Sequence, residues 1–256
     1  MIKKRPRKPS NNIELSNIPL KLEDHLNELK NRFLSILLVF IASSLAGFIF
    51  REYLLKILIR PMDGPLYYTT PAGGFNFMLS LSICFGVLVT IPFAAYHLAL
   101  FIRPAQPVNK KIPILPIITA SFLLMWLGIF FAYYFSIPAA LTFLKSFGPG
   151  NINSIITAES YLLFVSMFVL GFGVLFQLPL VMFLINLLVK MHVKSLFRAQ
   201  KWVVLAAFVL AAIITPTPDI INQVMMAIPI VILYQISVLT VYITNRRVDS
   251  HSHPII

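Results

Sequence analysis

Residues 202–243 read WVVLAAFVLAAIITPTPDIINQVMMAIPIVILYQISVLTVYI, a run whose one charged residue is Asp219. A membrane-spanning helix needs about 20 mostly apolar residues, so this run is too long for one crossing. It is interrupted by Thr215-Pro216-Thr217-Pro218-Asp219, and prolines so spaced cannot continue a helix. The run therefore predicts a short hairpin of two spans, 202–214 and 220–243. The first arm is short for a full crossing, so the bilayer thins there or the hairpin sits deep. Asp219, after Pro218 and before the last span, reads as a helix cap.

Working outward, charge-free stretches at 33–50, 77–100, 114–144 and 161–189 complete a set of six. The second contains Pro92 and, near its inner end, His97, which has no acidic neighbour in sequence and reads as a packed or interfacial ring. Composition supports the same class. The 256 residues are 58% hydrophobic and 12% charged, with a mean hydropathy of +0.85, against roughly 45–50% and 25% in soluble domains. An ordinary water-soluble domain is excluded, and the expectation is an all-α integral membrane protein with six transmembrane helices. Pro92, Pro138, Pro179 and Pro229 fall within or at the ends of four spans. Proline frees carbonyls and bends helices, which predicts a curved, concave wall and not a straight bundle. Cys84 is the one cysteine, so there is neither an intrachain disulfide nor a CxxC metal knuckle.

The chain holds 21 Lys and Arg against 9 Asp and Glu, a net charge of +12. Sorted by alternate sides of six spans, 17 basic residues lie with the termini and 4 (Arg51, Lys56, Arg60 and Lys145) lie opposite. By the positive-inside rule both ends are cytoplasmic. The charges serve topology. They form no aromatic-interleaved stripe of the kind single-strand binders use, so nucleic acid is not the expected partner. Residues 1–18 read as a disordered basic tail attracted to anionic headgroups, not a cleaved signal peptide. Residues 19–247 form the membrane domain, and 248–256 a second disordered tail. His251 and His253 there are no more than a weak metal pattern.

Ahead of the first span, Leu22, Leu26, Leu29 and Phe33 recur at helical spacing. They predict an amphipathic surface helix opened by Pro19, with His25 and Glu28 side by side at its apolar edge. Physical chemistry alone reads Glu28 as the i,i+4 partner of Arg32. Gln177, near the middle of the fourth span, needs a partner across helices or in a watered cavity. An interhelical hydrogen bond is its plainer reading.

His25-Leu26-x-Glu28-Leu29-Lys30-x-Arg32, directly before the first of six spans, resembles the HLxELRxR signature of the TatC family. These proteins are the multispanning receptor subunits of the twin-arginine protein translocase. Further segments are similar in the same order: Arg60-Pro61 with Gly64-Pro65-Leu66, then Phe101-Ile102-x-Pro104-Ala105, then Phe131-Ala132-Tyr133-Tyr134 with Pro138. Glu159-Ser160-Tyr161, Gly171-Phe172-Gly173-x-x-Phe176-Gln177-x-Pro179, Lys190 to Lys201, and Thr215-Pro216-x-Pro218-Asp219 with Gln223 and Ala227-Ile228-Pro229 follow.

The resemblance implies a glove-like fold and a receptor without enzymatic chemistry, cofactor or metal. It would sit in the plasma (inner) membrane of a cell or in an organellar membrane. It would bind twin-arginine signal peptides of folded cargo through Glu28, His25, Lys30, Phe101, Pro104 and Asn109. It implies contacts of Gln177 and Tyr133 with single-span partners of the TatA/TatB type or with the signal peptide. Structural roles fall to Pro61, Glu159, Pro216 and Asp219. It also implies a homo-oligomer within the complex, driven by the proton-motive force. Carboxylates pair bidentately with guanidinium groups, and two adjacent arginines want two acceptors.

One departure bears on this chemistry. The loop 103–113, where the family usually supplies a second carboxylate, holds Arg103, Lys110 and Lys111 and no acid. Neutral acceptors such as Asn109 and Gln106 substitute, or recognition leans on Glu28, Glu23 and Asp24, or the cargo motif is altered. Two other classes fit less well. A small-solute permease would show internal repeats or charges inside spans, and a membrane hydrolase would carry GxSxG or HExxH. The sequence has none of these.

Overall fold

The structure, a computed structural model, describes residues 17–62, 64–102, 114–146, 155–214 and 220–250. Among these the chain forms helices α1 (Asn17–Ile49), α2 (Arg51–Ile59), α3 (Gly73–Ile102), α4 (Ile114–Phe131) and α5 (Ile137–Ser146). They continue with α6 (Ala158–Leu175), α7 (Leu178–Leu188), α8 (Val193–Ile214) and α9 (Ile220–Ser250). A π-helical turn, Ala132–Ser136, joins α4 to α5. Six helical segments are long and apolar enough to cross a membrane: Asn27–Ile49, Gly73–Ile102, Ile114–Ser146, Ala158–Leu188, Val193–Ile213 and Met226–Arg246. The expected all-α, six-span architecture is the one observed.

The fourth span is the pillar. It is 56% buried, against 6% for the first, and α6 contributes Tyr161, Leu162, Val165, Phe168 and Phe172 to the principal apolar core. α4 packs against it where Gly128 meets the Phe172 carbonyl; a Cβ there would come within 2.6 Å of that oxygen. Small residues that let backbones approach are the usual means of joining helices in lipid. α1 rides on α3 by the same device. Gly86 stands beside Ser44, and Ser43 Oγ donates to the Gly86 carbonyl at 3.3 Å. The pillar breaks between α6 and α7. Pro179, in the first turn of α7, has no N–H to give, and Gln177 sits at the break.

Three boundaries differ from the sequence expectation. The stretch before the first span is not a separate surface helix, because α1 runs unbroken from Asn17 to Ile49. Nor is the first arm of the last hairpin short. α8 has 22 residues, about 33 Å at 1.5 Å per residue. Lys194, Arg198 and Lys201, expected in a loop, lie on its first turns at i, i+4 and i+7. Spaced on one face, such side chains run their stems along the helix and carry their charges to the interface. α9 continues past the expected edge at 247 to Ser250. Of the tails expected at 1–18 and 248–256, residues 1–16 and 251–256, His251 and His253 included, lie outside the described residues, and the rest belong to α1 and α9.

α2 was not expected. Leu54, Leu55 and Leu58 give it one apolar face on the main core, with Arg51, Glu52 and Lys56 elsewhere around it. The last carbonyls of a helix lack intrahelical donors. Here Tyr133 Oη donates to the Ile57 carbonyl at 2.7 Å and Tyr161 Oη to that of Leu58 at 2.9 Å.

Candidate functional site: a polar groove between α1 and α3

Asn27, Glu28, Asn31, Arg32 and Ser35 recur at i, i+1, i+4, i+5 and i+8, which is one stripe of α1. With His97 of α3 they line a groove of about 410 Å³, within the roughly 300–1,000 Å³ usual for ligand clefts. The other face of α1 is apolar and exposed: Leu29 is 51% and Phe33 63% accessible. In water the two faces would be reversed. Beside lipid, the apolar face belongs outside; on the polar stripe Glu28, 34% exposed, and Arg32 are turned partly onto the protein, while Asn27 and Asn31 stay exposed.

Arg32 donates to Glu28 Oε1 through Nε at 3.1 Å, with Nη2 a second close donor to the same oxygen. The i,i+4 pair read from the sequence is therefore present. It is partly screened from water, which strengthens it over an exposed pair. Ser35 Oγ donates to the Asn31 carbonyl at 2.9 Å. The His97 ring meets the edge of Tyr96, centroids 5.1 Å apart. His97 Nδ1 is closed off from solvent and has no hydrogen-bond partner among the described residues.

Of the other predicted recognition residues, Lys30 is exposed on α1 and Phe101 is half-buried one turn beyond His97 on α3. The His25 side chain, Pro104, Asn109, Gln106 and Lys110 lie outside the described residues, as do Pro216 and Asp219. Sequence reasoning set His97 aside as a packed or interfacial ring and did not single out Asn27, Asn31 or Ser35. The helical stripe through Glu28 was the available signal for the last three. No local pattern pointed to His97, because its neighbours in the groove are more than 60 positions away in the chain.

Gln177 takes the plainer of its two readings as far as its bonds go. It is 6% exposed, accepts from Ser121 Oγ at 2.8 Å and donates through Nε2 to the Ser121 carbonyl at 3.0 Å. A two-point bond of this kind joins α4 to the break in the pillar. Tyr133 is bound through its hydroxyl to α2, as above. Glu159 lies in the first turn of α6 and over the start of α3: a Cβ on Gly73 would come within 2.8 Å of its Oε1. Its carboxylate thus faces the positive ends of two helices. Thr69 Oγ1 reaches Oε2 at 3.4 Å. Nearby, Tyr67 N donates to Ile156 O at 3.2 Å and Ala158 N to Tyr67 O at 2.9 Å. Pro61, half-buried, follows α2 into this stitched loop, and Gly64 turns it with φ +129, a conformation that favours glycine. Among the described residues no cluster of His, Cys, Asp or Glu could hold a metal ion.

Six apolar spans, the fourth of them broken and the most deeply buried, with a polar groove lined from α1 and α3, define a multi-pass membrane protein. The family model described as "Sec-independent protein translocase protein (TatC)" matches residues 24–229. The Sec-independent protein translocase protein TatC of Aquifex aeolicus (strain VF5) is 30% identical over 235 residues, covering 89% of this chain and 97% of its own. An uncharacterized tatC-like protein, ycf43, of Gracilaria tenuistipitata var. liui is 31% identical over 231 residues, covering 90% and 97%. A crystal structure titled as the twin arginine translocase receptor TatC superposes with a TM-score of 0.75 at 30% identity, covering 86% of this chain and 99% of that one. The chain belongs to the TatC family. It is a TatC-type subunit of the Sec-independent translocase, a membrane transport component and not an enzyme.

Proposed function

We propose that this subunit binds the twin-arginine signal peptides of folded proteins in the groove between α1 and α3, with the groove on the cytoplasmic side. TatA/TatB-type single-span subunits then assemble with it, in copies that associate with one another. Cargo crosses a plasma or organellar membrane at the expense of the proton-motive force. The observation that carries this reading is the placement of Glu28: a carboxylate held half-buried at the end of the bundle, in a groove large enough for side chains to enter. The 17-to-4 distribution of basic residues supports cytoplasmic termini.

Recognition proceeds by exchange. In the free groove Arg32 supplies the guanidinium that Glu28 binds. An incoming arginine offers the same planar donors, and a bidentate pair in a partly dehydrated groove competes with the internal one. Glu28→Gln keeps the shape and removes the charge. Export of a folded reporter behind a twin-arginine signal should fall at least about tenfold, the usual order for losing a charge-assisted bond. Protein level and partner co-purification should hold. Undiminished export would remove Glu28 from the site.

A further inference from the structure

We infer that His97 is the second acceptor of the groove, taking the arginine that Glu28 does not. The inference rests on the signal-peptide reading above and deepens it. Two adjacent guanidinium groups carry donors that a single carboxylate, already engaged by Arg32, does not satisfy. The loop at 103–113, with three basic residues and no acid, supplies no second carboxylate. The groove itself offers four neutral candidates: Asn27, Asn31, Ser35, whose hydroxyl is turned to the Asn31 carbonyl, and His97. The asparagines are exposed and already solvated, so binding through them exchanges one set of hydrogen bonds for another. His97 differs. Its Nδ1 is buried and unmatched among the described residues, and an unmet buried polar atom gains most when a donor arrives. A neutral imidazole carries one lone-pair nitrogen, and to meet a donor from the groove that His97 lines, the ring has to turn about its soft two-fold χ2. Phe101, one turn along α3, stands beside the same end of the helix.

The test is the affinity of a labelled twin-arginine signal peptide for the full chain in lipid nanodiscs. It is repeated with peptides in which the first or the second arginine is replaced by glutamine. H97F keeps a ring without an acceptor, and H97Q returns an acceptor without the ring. H97F should bind the Arg-Arg peptide about tenfold more weakly than wild type, with H97Q restoring most of the loss. For one of the two single-arginine peptides H97F and wild type should bind alike, because the arginine that His97 receives is gone. H97F binding Arg-Arg as wild type does, or losing affinity equally for all three peptides, overturns the inference. Wild type binding Arg-Arg no better than a Gln-Gln peptide sinks the receptor reading and the His97 inference together. Loss in E28Q but not in H97F leaves the receptor reading standing and removes His97 alone.

Discussion

At the scale of single residues, the site depends on where polar atoms find partners out of water. Gln177 and Ser121 satisfy each other with two hydrogen bonds at 2.8 and 3.0 Å. Such bonds between membrane helices are worth about 1 kcal/mol. Gln177→Leu should therefore lower thermal stability in detergent modestly. In a double-mutant cycle with Ser121→Ala the two losses should fall short of additive, since both remove the hydroxyl bond while Ser121→Ala leaves the backbone carbonyl to the amide. Additive losses would mean the amide serves elsewhere. Glu28 was legible as a functional candidate because its signature lies within eight consecutive positions. His97 was not, because only the packing of α1 on α3 brings it there.

Helices in this molecule are set by close backbone approach. A Cβ on Gly86 would lie 2.0 Å from Ser44 Oγ, so Gly86→Ala forces α1 off α3 unless Ser44 turns away. Overpacking of this sort costs about 1–3 kcal/mol. A thermal-melt series should show Gly86→Ala destabilised and the pair with Ser44→Gly largely recovered. Because the groove is built on the same α1–α3 contact, signal-peptide affinity should follow the melt. The spans themselves were readable from apolar length, yet α2 was not: nine residues with a mixed face carry too little periodicity. Its place is fixed by Tyr133 and Tyr161, whose hydroxyls meet its last carbonyls from 76 and 103 positions away. Tyr161→Phe removes one of these. Cleavage of the 60–72 loop by protease added from outside should then quicken severalfold.

The whole molecule keeps an apolar interior and also exposes apolar faces, as on α1, where a soluble bundle would put polar ones. Sequence patterning located the amphipathic start of α1 but set it apart from the first span, because the span was bounded by its lack of charge, and charged residues such as Lys30 and Arg32 do not end a helix. The distribution of basic residues favours cytoplasmic termini, and it predicts that a membrane-impermeant maleimide added to intact cells labels a cysteine placed at Lys145 and leaves one at Lys190 unlabelled. The reverse pattern would invert the protein and put the groove on the wrong side for cargo recognition. The most direct test of the central claim is a photo-crosslinking scan along α1 with a twin-arginine signal peptide. Probes at positions 27, 31 and 35 should capture the peptide, and those at 29, 33 and 37, on the exposed apolar face, should not. Capture from the apolar face alone, or equally from both, would contradict recognition in the groove.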